Sequence, residues 1–327
     1  MKLTIARLTL VALLLLAVAL AAGAQGPRKV RIGYLSGNPP SDTRDALAGF
    51  RTKLRELGYV EGDNLTIDLR YANGRYELLP DLAAALVRLK VDLIFSYGTP
   101  GSLAAKSTTS TIPIVFSGVA DPLGVGLVST VARPGANVTG VMSNNPELTA
   151  KRMSLLKEIV PSAARVAVLT NPDFKPTANM LRETTLAARS LGMELQVVEA
   201  RTRQEIAAAF EAMSAAKANA VAVLVDPMFI AERQRIAELA MRSRIPAIYH
   251  LRQFVEVGGL ISYGVDYLEA FQQAAVLVEK ILKGAKPADL PVEQPWRFAL
   301  VINLKTARAL GLTIPPSLVL RADHVVE

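Results

Sequence analysis

The 327-residue chain contains no cysteine, two histidines and one tryptophan. Without cysteine it can form neither a disulfide nor a zinc site built on thiolates, so its stability has to come from hydrophobic cores. His250 and His324 are too few and too far apart in sequence to predict a histidine metal cluster. We expect each of them to be an ordinary core or surface residue, and we expect no cofactor.

Sequence motifs of common enzyme classes are also missing. The chain has no phosphate-binding loop and no Gly-x-Ser-x-Gly elbow, and the segment from Gly33 to Asn38 does not match the dinucleotide fingerprint. Neither histidine lies beside a candidate nucleophile, although the members of a catalytic triad can be remote in sequence. A catalytic pair of carboxylates stays open as an alternative.

The net charge of +8 is a moderate basic excess. The lysines and arginines are spread along predicted helices instead of being gathered in runs, and no aromatic residues interleave with them in the way that stacks on bases. We therefore expect a solvated basic surface and no binding of nucleic acid.

The first 24 residues have the pattern of a signal peptide. Lys2 and Arg7 precede an apolar run from Leu8 to Leu20, and the small residues from Ala22 to Ala24 fit a cleavage site. The alternative is a retained membrane anchor, but the run is shorter than the roughly 20 residues that span a bilayer. We expect cleavage after Ala24 and export to an oxidising compartment, the periplasm, with no cysteine near the cut to carry a lipid.

The rest of the chain repeats one architectural pattern in its two halves. Strand-like apolar runs that end in turn residues alternate with segments of helical spacing, and the order recurs with an offset of roughly 130 residues. Such alternation predicts parallel sheets with helices on both faces, so the fold class is α/β with two doubly wound lobes. The strand-like runs end at Ser36-Gly37-Asn38, Gly98-Thr99-Pro100, Ser117-Gly118, Thr170-Asn171-Pro172, Asp226-Pro227-Met228 and Tyr249.

Two segments rich in proline or glycine, residues 133–140 and 287–295, predict crossings between the lobes. We expect an N-terminal lobe of residues 27–140 plus 264–292 and a C-terminal lobe of residues 141–263 plus 293–327. More than one crossing would make a multi-strand hinge.

Ligands of open parallel sheets bind beyond the carboxyl ends of the strands, so the turns after the strands are the candidate site. Gly98-Thr99-Pro100 offers free backbone amides at a helix start, which accept a carboxylate. Asp121 and Asp226 follow strands in the two halves and could accept hydrogen bonds from an ammonium group. A plain helix cap explains each of these features equally well, so both interpretations stay open.

Together these motifs resemble those of the ABC transporter substrate-binding protein family, in the branch linked to tryptophan or tyrosine uptake. The resemblance covers nearly the whole chain after residue 24 and implies a type 1 periplasmic binding fold. It also implies a monomeric receptor that closes on a small molecule and delivers it to a permease in the inner membrane, with no ATP bound. The segments that carry it are Gly33-Tyr34-Leu35, Gly98-Thr99-Pro100, Thr111 to Phe116, Asp121-Pro122, Ala132 to Gly140 and Gly258 to Gly264.

The same resemblance implies the ligand and the residues that hold it. The leading ligand class is an aromatic amino acid or a related aromatic carboxylate, with its carboxylate on the helix start at Thr99 and its ammonium on Asp121 or Asp226. An exported receptor for a membrane sensor and an exported α/β enzyme are the alternatives. The implied ligand-binding residues are Ser36, Asn38, Gly98, Thr99, Pro100, Asp121, Asn171, Asp226, Tyr249 and Asp266.

Overall fold

The computed structural model describes residues 29–143 and 146–327, so the predicted signal peptide lies outside the described residues. None of the helices in these two ranges is long and apolar enough to cross a bilayer. The elements up to residue 143 are β1 (Val30–Ser36), α1 (Pro40–Glu56), β2 (Leu65–Tyr71), α2 (Leu79–Arg88), β3 (Leu93–Tyr97), α3 (Gly98–Thr108), β4 (Ile114–Val119) and β5 (Val138–Met142).

Strands and helices continue to alternate after residue 145. The elements are α4 (Pro146–Ile159), β6 (Arg165–Thr170), α5 (Thr177–Ser190), β7 (Glu194–Glu199), α6 (Glu205–Ala215), β8 (Ala220–Val223), α7 (Pro227–Ala231), α8 (Arg233–Arg242), β9 (Ala247–Tyr249), α9 (Arg252–Glu256), β10 (Ile261–Val265), α10 (Tyr267–Leu282), β11 (Phe298–Asn303), α11 (Leu304–Ala309), α12 (Pro316–Leu320) and β12 (His324–Val326).

The first lobe is built on a five-stranded parallel sheet in the order β2-β1-β3-β4-β5. All five residues of the central strand β3 are buried, as expected for a parallel strand that is covered on both faces. Helices α1 and α10 cover one face together: Phe50 stacks on Phe95 with ring centroids 4.4 Å apart, and Phe271 meets Phe95 edge-on at 4.9 Å. Helix α10 therefore belongs to the first lobe, although it lies late in the chain.

The second lobe is built on a seven-stranded sheet in the order β12-β11-β10-β9-β8-β6-β7. Its pairings are parallel except for β10 with β11, which is antiparallel. The prediction of two α/β lobes with parallel sheets is confirmed, and β11 is a reversed strand that the sequence pattern did not predict. Residues 138–142, assigned above mostly to a crossing, form the edge strand β5.

The described chain passes between the two sheets at three places: after β5, between β10 and α10, and between α10 and β11. The first and third crossings are bonded to each other, because the amide of Glu293 donates to the carbonyl of Gly140 at 2.9 Å and the amide of Met142 donates to the carbonyl of Glu293 at 3.0 Å. The buried Gln273 of α10 donates to the Glu293 carboxylate at 2.7 Å. These bonds tie the hinge together; the exact lobe boundaries given above stay a prediction.

We predict that Gly264→Ala lowers the free energy of unfolding by at least about 2 kcal/mol. A Cβ at this position of β10 would lie 1.9 Å from the carbonyl oxygen of His250, and backbone cannot turn aside as a side chain can. The control is Gly101→Ala on α3, whose Cβ would make its nearest contact at 3.4 Å, with the carbonyl oxygen of Leu35, and where alanine favours the helix. Urea unfolding followed by circular dichroism measures both variants, and equal midpoints would contradict the prediction.

Candidate functional site

A cavity lies between the two lobes, at the carboxyl ends of the parallel strands of both sheets. Its walls come from residues that follow β1, β3 and β4 in the first lobe and β6, β8 and β9 in the second. About 40 Å³ of it is open to water, which is room for roughly three water molecules. An amino acid therefore fits only after the lobes or the lining side chains have moved apart.

Aromatic rings form much of the cavity wall. Tyr76, Tyr97 and Tyr267 come from the first lobe and Phe174 comes from the second. Tyr97 and Tyr267 meet edge-on with their centroids 5.3 Å apart. Rings of this kind offer flat apolar faces together with polar hydroxyl groups, which suits a ligand with an aromatic part.

The start of α3 supplies polar backbone to the same cavity, because Gly98, Thr99 and Pro100 all line it. Gly98 has a φ of +78°, a conformation that glycine adopts without strain. No side chain of the described residues caps this helix start. Backbone amides of the first turn, reinforced by the helix dipole, can therefore receive an anionic group such as a carboxylate.

The turn after β1 is held by Ser36, whose hydroxyl accepts a hydrogen bond from the amide of Asn38 at 3.0 Å. Ser36 is completely buried and does not line the cavity, whereas Asn38 does. The structure thus places Asn38 at the predicted site and gives Ser36 the task of shaping the turn.

Asp226 and Asn171 form a cap at the start of α7. Asp226 Oδ1 accepts the amides of Met228 at 2.7 Å and Phe229 at 3.1 Å, and its Oδ2 accepts Asn171 Nδ2 at 3.0 Å. Burial raises the pKa of Asp226, although all three donors favour the charged form. Neither residue lines the cavity, but the charge of Asp226 contributes to raising the pKa of Tyr76, which burial chiefly brings to about 12.

Asp121 joins the two lobes instead of lining the cavity. Its Oδ1 accepts the amide of Gly124 at 2.8 Å, and its Oδ2 accepts Nδ2 of Asn179, on α5 of the second lobe, at 3.3 Å. The adjacent Ala120 does line the cavity. Contact between Asp121 and a ligand stays a prediction.

Tyr249 and Asp266 lie away from the cavity. The ring of Tyr249 is fully buried and stacks on Phe254, with centroids 4.5 Å apart, because side chains alternate along β9 and this one points into the core. Asp266 caps α10 by accepting the amide of Leu268 at 3.0 Å. Neither side chain therefore enters this cavity, and Asp266 instead lines a neighbouring groove.

His250 is one of the cavity residues that the sequence analysis missed. It follows Tyr249 directly, so the alternation that turns Tyr249 inward turns His250 towards the cavity. Only 6% of its surface is exposed, and neither ring nitrogen makes a hydrogen bond of ordinary geometry with the described residues. Burial and the charge of Arg152 lower the pKa of His250 to about 3, against a smaller opposite effect of the Val223 carbonyl, so the ring is neutral at pH 7.

Two ion pairs connect the lobes outside the cavity. Arg233 of α8 contacts the carboxylate of Asp42 of α1 with both terminal nitrogens, at 2.9 Å and 3.3 Å. This pair is largely buried, with side-chain exposures of 25% and 7%. Arg252 lies 3.4 Å from Asp45 in an exposed pair.

A larger groove of about 530 Å³ lies on the other side of His250 and Tyr267. Charged side chains line it, and several of them already pair with each other, as Arg297 does with Asp323 at 3.2 Å. The smaller cavity is the better candidate, since strand ends of both lobes line it, whereas the first-lobe wall of the groove comes from the helices α1 and α10. The described residues hold no group of three or more potential ligands that could bind a metal ion.

Two α/β lobes that cross three times in the described chain and enclose a cavity at facing strand ends define a two-lobed solute-binding protein. The family model described as ABC transporter substrate binding protein matches residues 40–326. The chain belongs to this family, whose members are binding proteins and not enzymes.

Individual relatives agree with this assignment. A tyrosine-binding protein of Clostridioides difficile is 27% identical over 285 residues, which cover 87% of this chain and 81% of the relative. A crystal structure of an ABC domain in complex with L-Trp from Streptococcus pneumoniae is 28% identical, covers 91% of this chain and 100% of its own, and superposes with a TM-score of 0.85.

A ligand-free, open structure of a Clostridium difficile substrate-binding protein with adhesive properties gives a lower TM-score, 0.73. It is 25% identical and covers 91% of this chain and 99% of its own. The shape of this chain thus matches the L-Trp complex more closely than the open structure. Polar contacts across the lobes, such as Arg233 with Asp42, agree with a closed arrangement.

We predict that His250 makes the protein less stable at pH 5 than at pH 7. Its pKa is about 3 in the folded state and about 6.5 in the unfolded chain, so between these values the unfolded state binds the extra proton. This group alone lowers the free energy of unfolding by about 2 kcal/mol between pH 7 and pH 5.

Urea unfolding at the two pH values tests this expectation. In His250→Phe, the drop in the free energy of unfolding from pH 7 to pH 5 should be smaller than in wild type by about 2 kcal/mol. The control Tyr249→Phe, at the adjacent buried position, should show the same drop as wild type. The same pH dependence in wild type and His250→Phe would contradict the prediction.

Proposed function

We propose that the protein is the periplasmic solute-binding component of an ABC importer and captures an aromatic amino acid, or a related aromatic carboxylate, between its lobes. The observation that carries the proposal is one cavity that combines four aromatic rings with the uncapped start of α3. The rings suit an aromatic side chain, and the helix start suits a carboxylate.

The named ligands of relatives support the same class. One relative is called a tyrosine-binding protein, and one similar structure contains L-Trp. Identities of 27% and 28% leave room for a different aromatic ligand in this chain. The predicted signal peptide and the family together support export to the periplasm and delivery to a membrane permease.

The charges around the cavity act differently on two of its tyrosine side chains. Burial raises the pKa of the Tyr76 hydroxyl, and the charges of Asp226 and Asp42 raise it further against a smaller opposite effect of Arg203. Near Tyr267 the positive charge of Arg152 acts in the opposite direction. An amino acid would align with this field, with its ammonium group towards the acidic end.

In such a two-lobed protein, ligand binding shifts the equilibrium from the open form to the closed form. A ligand that touches both lobes only when they are closed stabilises the closed form by its difference in affinity for the two states. The ion pair between Arg233 and Asp42 also exists only when the lobes are close. A permease can then recognise the closed, loaded form.

We predict that residues 25–327 bind L-tryptophan, L-tyrosine or L-phenylalanine in preference to L-leucine, glucose and adenosine. At a hundredfold excess of ligand over its dissociation constant, binding raises the free energy of unfolding by about 2.7 kcal/mol. Thermal shift identifies the ligand and isothermal titration calorimetry measures its affinity. A shift with leucine, glucose or adenosine alone would replace the proposed ligand class, and turnover of any compound would contradict a binding role.

We predict that Arg233→Gln weakens ligand binding about fivefold, because a largely buried ion pair worth about 1 kcal/mol is lost from the closed state alone. The matched control is Arg252→Gln, whose pair with Asp45 is 54% and 70% exposed and whose loss should change affinity less than twofold. Calorimetry measures both. Equal effects of the two substitutions would show that the Arg233 pair does not favour closure.

A further inference from the structure

His250 is a polar side chain that the protein itself leaves available. It lines the interlobe cavity, 94% of its surface is buried, and neither nitrogen makes a hydrogen bond of ordinary geometry with the described residues, although the Val223 carbonyl acts on the ring in the direction of a higher pKa. Buried polar groups without partners are rare in folded proteins, since each costs free energy that a hydrogen bond would recover. A ligand in the cavity would supply the missing partner.

The ring packs against neighbouring rings and is held in a position from which it can form a hydrogen bond to a ligand in the cavity. Its centroid lies 5.7 Å from that of Phe254, which in turn stacks on Tyr249. It comes from the second lobe, whereas Thr99 and the start of α3 come from the first, and all of them line one small cavity. A group held between them would contact both lobes at once.

We propose that His250 donates a hydrogen bond to the carboxylate of the bound amino acid, so that one carboxylate is held by α3 of the first lobe and by His250 of the second. The inference rests on the proposed function. It makes His250 the second-lobe contact of the ligand's carboxylate, whereas the carboxylate of Asp226 already accepts three hydrogen bonds within the protein.

The charges around His250 favour a carboxylate over an ammonium group as its partner. Arg152 is buried nearby, and its positive charge acts on both His250 and Tyr267. Arg152 stays protonated at neutral pH, since burial lowers its pKa only to about 10. An ammonium group at this end would face a positive charge, whereas a carboxylate would be attracted by it.

Four proteins test the proposal: wild type, His250→Phe, His250→Gln and the control Tyr249→Phe. Phenylalanine keeps a ring beside Phe254 but removes the donor, and glutamine restores an N–H donor. Tyr249→Phe removes a hydroxyl that is also buried without a partner but lies outside the cavity. Calorimetry with L-tyrosine or L-tryptophan, whichever wild type binds more tightly, gives the affinities, and thermal unfolding of the ligand-free proteins shows that each is folded.

We expect His250→Phe to weaken binding about 10- to 100-fold, His250→Gln to recover at least part of the loss, and Tyr249→Phe to change affinity less than twofold. The corresponding amine, tyramine or tryptamine, lacks the carboxyl group and with it the acceptor, so it should lose much less affinity on His250→Phe, as competition at millimolar concentrations will show. Such a difference isolates the pair of groups that interact.

If a folded His250→Phe protein keeps wild-type affinity, the inference about His250 is overturned while the proposed function stands. Equal losses for the amino acid and the corresponding amine would overturn the assignment to the carboxylate. Absence of wild-type binding to every aromatic amino acid would instead overturn the proposed function, and the inference with it.

Discussion

The alignment of parallel strands is the constraint on which the site depends. The central strands of each sheet are parallel to one another. The residues that follow β1, β3, β4, β6, β8 and β9 therefore collect at one edge of each lobe. The three crossings hold these two edges opposite each other, and the bonds of Glu293 to Gly140 and Gln273 fix two of the crossing elements together. Each lobe therefore carries half of a site that is complete only when the lobes meet.

The acidic side chains near the cavity are occupied by structural tasks. Asp226 caps a helix, Asp121 reaches across to Asn179, and Asp42 pairs with Arg233. A buried carboxylate is tolerated only with such partners, because losing water without hydrogen bonds costs several kcal/mol. On the proposed function, recognition of a ligand would then fall to groups that are neutral or fixed, namely the amides of α3, the tyrosine hydroxyls and the neutral ring of His250.

The sequence pattern predicted the lobes, the turns after the strands and the polar start of α3, because these follow from local rules of strands and caps. It did not predict that β11 runs antiparallel to β10, since the composition of a strand does not indicate its direction. It chose Tyr249 over His250 because a single-residue alternation decides which side chain enters a cavity. Tyr76 and Phe174 could not be found at all, since they become neighbours only when the two lobes face each other.

Selectivity of such a clamp rests on a balance between weak closing contacts and ligand contacts. If the lobes closed firmly on their own, an empty protein would resemble a loaded one, so the pair of Arg233 with Asp42 has to contribute little more than about 1 kcal/mol. A ligand too small for the aromatic walls leaves gaps that forfeit dispersion contacts, and one too large keeps Arg233 from reaching Asp42. Shape, as well as polar recognition, therefore decides which molecule is held in the closed form.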